Sequence, residues 1–144
     1  TPFYELFVYI NLAICWFDKK DFHKAVRNLN TLYVHNSYRN ADRSLKFKIA
    51  VAELIIRYEL GDPELLEKNI RQARKEYGNL IAGKDHRRER ELIGLIGEMA
   101  LTDNLRYNKA LISRMKTFLR SSSKELQEDT EIIKYDHWLK SKLI

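Results

Sequence analysis

The sequence predicts an all-α fold: an α-solenoid of three antiparallel helix hairpins plus a C-terminal capping helix. Three observations predict it. Gly and Pro are scarce, five and two in 144 residues, while the helix formers Leu, Lys, Glu and Arg are abundant. Three turn aspartates, Asp21, Asp62 and Asp103, lie 41 residues apart. The helices preceding those turns share one apolar face in register: Ile10, Val51 and Leu92; Ala13, Leu54 and Leu95; Ile14, Ile55 and Ile96; Phe17, Tyr58 and Met99. Offsets of three, four and seven residues mark one side of a helix, and a fixed period with the faces aligned is the mark of a helical repeat array.

The elements follow in order. Helices are expected at 3–18, 21–35, 43–60, 63–81, 86–102, 104–119 and 124–141. They group into repeats at about 3–40, 43–83 and 85–121, within a single domain spanning 1–144. The opening stretch FYELFVYINLAICWF is apolar or aromatic at all but Glu5 and Asn11, more than one buried stripe requires. It is shorter than the roughly 20 apolar residues of a membrane span. Each aspartate suits the N-cap of the helix that follows, where its carboxylate accepts an otherwise unpaired backbone N–H. Pro63 after Asp62 suits a first helical position. Leu29, Ile70 and Leu111 carry the period into the second helices. The joints HNSYRNAD, GKD and RSSS are polar, and Ser122 with Glu125 forms a capping box for the last helix. In that helix Leu126, Ile132, Ile133, Tyr135, Trp138 and Leu139 are expected to pack, leaving a polar outer face to close the array.

The first hairpin resembles a tetratricopeptide repeat (TPR). The large, Leu, small and aromatic positions of that pattern read Tyr9, Leu12, Ala13 and Trp16. Phe22 and Ala25 follow on the second helix, then Leu29 and Leu32, over about residues 6 to 37. The second and third hairpins depart from the pattern, with Arg57 and Glu98 at the Trp16 position and Leu66 and Tyr107 at the Ala25 position. Their period is longer than the family's roughly 34 residues. The resemblance implies an α-solenoid scaffold for protein partners, with no cofactor and no catalysis.

The residues themselves point away from an enzyme. His23, His35, His86 and His137 lie on different elements without a spacing that would gather metal ligands, and read as surface or cap residues. The run DHRRERE at 85–91 reads as Asp85 capping a helix whose first turns alternate charge in water. Gly94 and Gly97 follow no strand, so they make no nucleotide loop; they read as small residues that let two helices approach. Cys15, the one cysteine, can form no internal disulfide and reads as a small buried hydrophobe, in keeping with a reducing cytoplasm.

The leading expectation is a noncatalytic scaffold, the C-terminal part of a longer chain, that docks another protein or a domain upstream in its own chain. Part of the opening helix should serve as that docking surface, with Tyr4, Phe7 and Trp16 as anchors. It should be covered by preceding repeats or by a second copy of the chain; the competing expectation is that second-helix side chains wrap it. The alternative function is nucleic-acid binding. The net charge is +6, and cations gather on the second helices. Arg27, Lys68 and Lys109 recur at the period and, with Arg71, would line an outer face that could track phosphates.

Overall fold

The computed structural model describes residues 2–122 and 131–144, with side chains from Tyr4 to Ser121 and from Glu131 onward. Those residues form an all-helical structure in which the helices pack against one another. The elements are α1 (Pro2–Asp18), α2 (Phe22–Tyr33), α3 (Asn36–Arg39), α4 (Arg43–Leu60), α5 (Pro63–Glu76), α6 (Gly78–Ile81), α7 (Arg87–Ala100), α8 (Lys109–Ser122) and α9 (Tyr135–Lys142). Short 3₁₀ turns occupy Lys84–His86 and Leu105–Tyr107.

Local chemistry sets most of these boundaries. Asp21 accepts the N–H of Lys24 at 3.2 Å and Asp62 that of Leu65 at 3.1 Å, opening α2 and α5. Asp42 accepts the N–H of Ser44 at 3.1 Å and opens α4. At the far end of α4, Gly61 takes the left-handed conformation, φ 81°. Lys20, 41 residues earlier, does the same at φ 62°. There the Asp21 N–H reaches back to the Trp16 carbonyl and the Lys20 N–H to that of Phe17, the paired bonds that end a helix on a left-handed residue.

Two expected helices differ. The helix expected over 63–81 is broken at Tyr77, whose side chain turns into the core against Phe47, 5.4 Å between ring centroids, with Gly78 following as a poor helix residue. The helix expected from 104 begins at Lys109. Asp103 is not its cap: Asn104 caps the 3₁₀ turn, and the Asn108 side chain accepts the N–H of Leu111 at 3.1 Å to open α8. The buried set of α5, Leu66, Ile70 and Ala73, therefore finds its counterpart in Leu111, Met115 and Phe118, four residues later than a 41-residue period requires. Four residues is about one helical turn, so Leu111 stays on a buried face although its helix has slipped. We expect Asp62→Ala and Asn108→Ala each to cost about 0.5–2 kcal/mol and Asp103→Ala almost nothing. Denaturant midpoints at constant slope measure all three, and a cost at Asp103 equal to that at Asn108 would refute this capping scheme.

The core runs continuously through the described helices. α1 packs on α2 and α3, α2 on α4, α4 on α5 and α7, α5 on α7, α7 on α8, and α8 on α9. Of the positions spaced by 41, Ile10, Val51, Leu92, Ala13, Leu54, Leu95, Ile55, Ile96 and Met99 are buried. Ile14, Phe17 and Tyr58, expected to be buried with them, are half-buried.

The C-terminal segment departs further. Residues 123–130, with Glu125 and Leu126, lie outside the described residues. Ser122 ends α8, and residues 131–134 are not helical. α9 is thus a short helix from Tyr135, and it reaches back to α4. The Trp138 indole N–H donates to Glu59 at 2.8 Å, Lys142 pairs with Glu59, and the Trp138 ring meets Tyr58 edge-on at 5.6 Å. Between α9 and the α1–α2 turn lies a cleft of about 360 Å³, lined by Phe17, Phe22 and Trp138 among others.

Candidate interaction surfaces

α1 presents two faces. Leu6, Ile10 and Ala13 are buried, with Tyr9, Ile14, Trp16 and Phe17 packed around them. Opposite them run exposed Tyr4 (69%), Phe7 (52%) and Leu12 (40%), with Asn11 and Cys15 also exposed and Val8 half-buried. Cys15 corrects the expectation of a buried thiol, because it falls on the outer line of the helix. Of the three expected anchors, Tyr4 and Phe7 stand in solvent. Trp16 is half-buried, and its ring carries the Lys24 ammonium at 4.3 Å and the Lys19 ammonium at 5.3 Å. Its π-face is therefore already occupied by cations.

The contrast with α4 is informative. Residues 41 further on from Val8, Asn11 and Cys15 are Ile49, Ala52 and Ile56, all 2% exposed or less. The same side of the helix that α4 buries beneath its neighbours is open in α1.

The cations Arg27, Lys68, Arg71 and Lys109 are all exposed, on α2, α5 and the first position of α8. Arg71 and Arg74 share a cleft of about 260 Å³ between α5 and α7 with Glu67 and Glu98, floored by Gly94, Gly97 and Ile70. The carboxylates break up any uniform positive field there. The glycines do not serve close helix approach, as the sequence suggests. A Cβ on Gly97 would meet Ile70 Cδ1 at an ordinary 3.7 Å, and one on Gly94 would meet nothing within 4 Å.

The run at 85–91 is corrected most. Asp85 lies in the 3₁₀ turn and does not cap α7. His86 is buried, with Nε2 3.0 Å from the Ser44 hydroxyl. Arg88 and Glu89, expected in water, are 4% and 1% exposed. Glu89 accepts the Lys48 ammonium at 2.9 Å. Arg88 donates to Glu131 at 2.9 and 3.2 Å and to Asp136 at 3.2 Å, while its guanidinium lies 4.8 Å from the Phe118 ring centroid and 5.6 Å from that of Tyr135. Burial pushes the Glu131 carboxyl above the usual carboxylate range, outweighing the Tyr135 N–H and Arg88 that favour its ionised form. Burial and the neighbouring Glu89 carboxylate push the Tyr135 phenol well up. This cluster ties α4, α7, α8 and α9 together.

A second polar cleft, of about 280 Å³, lies where α2, α4 and α5 meet. There the Tyr33 hydroxyl donates to Glu53, which also accepts Arg57 at 2.6 Å. Burial and Glu53 raise the Tyr33 phenol well above its usual range, so it stays a neutral donor. Its polar groups join helices to one another, just as the Arg88 cluster does.

Among the described residues, no three His, Cys, Asp or Glu side chains are gathered as a metal site, and no helix is long and apolar enough to cross a membrane. Comparison with protein-family models, with curated proteins and with solved structures gives no match for this chain.

Proposed function

We propose that the chain is a noncatalytic TPR-like scaffold, a short α-solenoid closed by α9, that docks another polypeptide or another domain of its own chain through α1. The observation that carries this reading is the open stripe of α1 on the side that α4 buries. Apolar patches of this kind on soluble proteins mark interaction sites, and aromatics such as Tyr4 and Phe7 dominate the energy of such contacts. The order of helix neighbours supports the solenoid, since each hairpin packs mainly on the next. The buried ion pairs and tyrosine clefts support a structural role, because their polar groups hold helices together.

A photo-crosslinking phenylalanine analogue placed in turn at Tyr4, Phe7 and Trp16 tests the reading in cells. Adducts with a polypeptide are expected at Tyr4 and Phe7, and fewer at Trp16, whose ring is partly covered. The same analogue at Arg27, Lys68, Arg71 and Lys109 should give none. Nuclease-sensitive adducts at those four positions, with none on α1, would replace the scaffold with a nucleic-acid-binding repeat.

A further inference from the structure

We propose that the open stripe of α1 is the interface of a symmetric pair of these chains, with the two α1 helices antiparallel and Asn11 on the two-fold axis. The inference rests on α1 being a docking face and names its occupant. Tyr4, Val8, Asn11 and Cys15 follow one another at spacings of four, three and four, a single line along the helix, with Phe7 and Leu12 on either flank. Leu6 to Phe17 contains no charged residue in a chain of net charge +6, so two copies can meet there without opposing like charges.

Asn11 decides between occupants. A further hairpin stacked on α1 as the rest of the chain is stacked on α4 would put Asn11 in the place of Ala52, a 2% exposed seat among apolar neighbours. The amide would then be buried without partners, which is unfavourable. Across a two-fold axis each amide meets the other, and each offers the donor and the acceptor its mate requires. A single buried Asn of this kind fixes helix register. The ends of the stripe favour the antiparallel arrangement. With Asn11 on the axis, Glu5, which is exposed and 3.1 Å from His35 Nδ1, would lie opposite Phe17 of the second copy, beside its Asp18, Lys19 and Lys20, a segment of net positive charge. A parallel pair would set Glu5 against Glu5 and Asp18 against Asp18.

Sedimentation of the purified chain over a dilution series should show a reversible dimer. Phe7→Glu should weaken it roughly tenfold or more while leaving the helical signal and melting temperature unchanged. A short bis-maleimide should join two chains of an Asn11→Cys, Cys15→Ser variant. It should fail on a Tyr4→Cys, Cys15→Ser variant, whose thiols would lie about 20 Å apart along the axis at 1.5 Å per residue. Cross-linking of the second variant but not the first would overturn the antiparallel register. A chain that is monomeric throughout the series, with Cys15 open to maleimide at every concentration, would overturn the pairing. Photo-adducts from Phe7 to a different polypeptide would then preserve the docking reading, whereas their absence would remove both.

Discussion

Arg88→Ala is expected to lose about 3–5 kcal/mol of stability, the range for breaking a buried ion pair by removing one partner. Among the described residues, three groups lose a partner. Glu131, 6% exposed, would keep only the Tyr135 N–H at 2.9 Å. Asp136 would lose its bond to the guanidinium. The rings of Phe118 and Tyr135 would lose the cation lying over them. Because these groups join α7 to α8 and α9, the damage should concentrate at the C-terminal end. Hydrogen exchange should show α9 losing protection before α2 does. Glu131→Gln should cost less than Arg88→Ala. Burial already disfavours the ionised Glu131, and the amide oxygen can still accept the Tyr135 N–H. The sign for pH follows. A carboxyl held above its unfolded value adds stability that is complete below the unfolded pKa and is lost as pH rises through the folded one. Mild acidification should therefore not weaken the fold through Glu131, and an acid-induced loss that disappears in Glu131→Gln would contradict that. Arg88→Ala at a cost below that of Glu131→Gln would show that the cluster does not hold α9.

Ile55→Ala is expected to cost about 2–5 kcal/mol. Ile55 is 0% exposed on α4, the helix that contacts α2, α5 and α7. Truncation there removes buried methyl groups and leaves a cavity walled by several helices, which cannot all close on it. Ile96→Ala, equally buried on α7, should fall in the same range. Ile14→Ala should cost clearly less, since Ile14 is half-buried and water can fill the space beside it. Urea unfolding with an unchanged slope would measure the series. Costs near zero at both Ile55 and Ile96 would show that the shared face is not the core, and a cost at Ile14 matching Ile55 would show that α1 is more tightly covered than its exposure indicates.

The residues at which sequence and structure agree share a physical property: their behaviour is set within about two turns of chain. Asp21 and Asp62 cap because a carboxylate reaches an N–H three residues on. The bounds of α4 follow from Asp42 before it and Gly61 after it. The recurring apolar offsets place Val51, Leu54, Leu92 and Leu95 inside, because side chains three and four apart must share a side of any helix they form. The residues at which the two part depend on partners far along the chain. Arg88 and Glu89 look like solvated charges until Glu131, more than forty residues later, and Lys48, as many earlier, are brought beside them. Cys15 looks buried because its helix is apolar all round, yet burial depends on what stands opposite, and nothing described stands opposite that line. α8 begins at Lys109, capped by Asn108, because Leu105–Tyr107 form a 3₁₀ turn, a choice between two nearby asparagines that local preference leaves open. The seat of α9 on Tyr58 and Glu59 is likewise invisible to periodicity, which orders a helix in sequence but does not say where it folds back. The sequence by itself determined that this chain is helical, where most helices begin, and which side of α4 and α7 faces inward, since those follow from capping and from 3.6-residue geometry. Only the tertiary structure decided that Arg88 and Glu89 are buried, that α9 returns to α4, and that Tyr4, Phe7 and Asn11 stand open, because burial belongs to pairs of elements and not to either one alone.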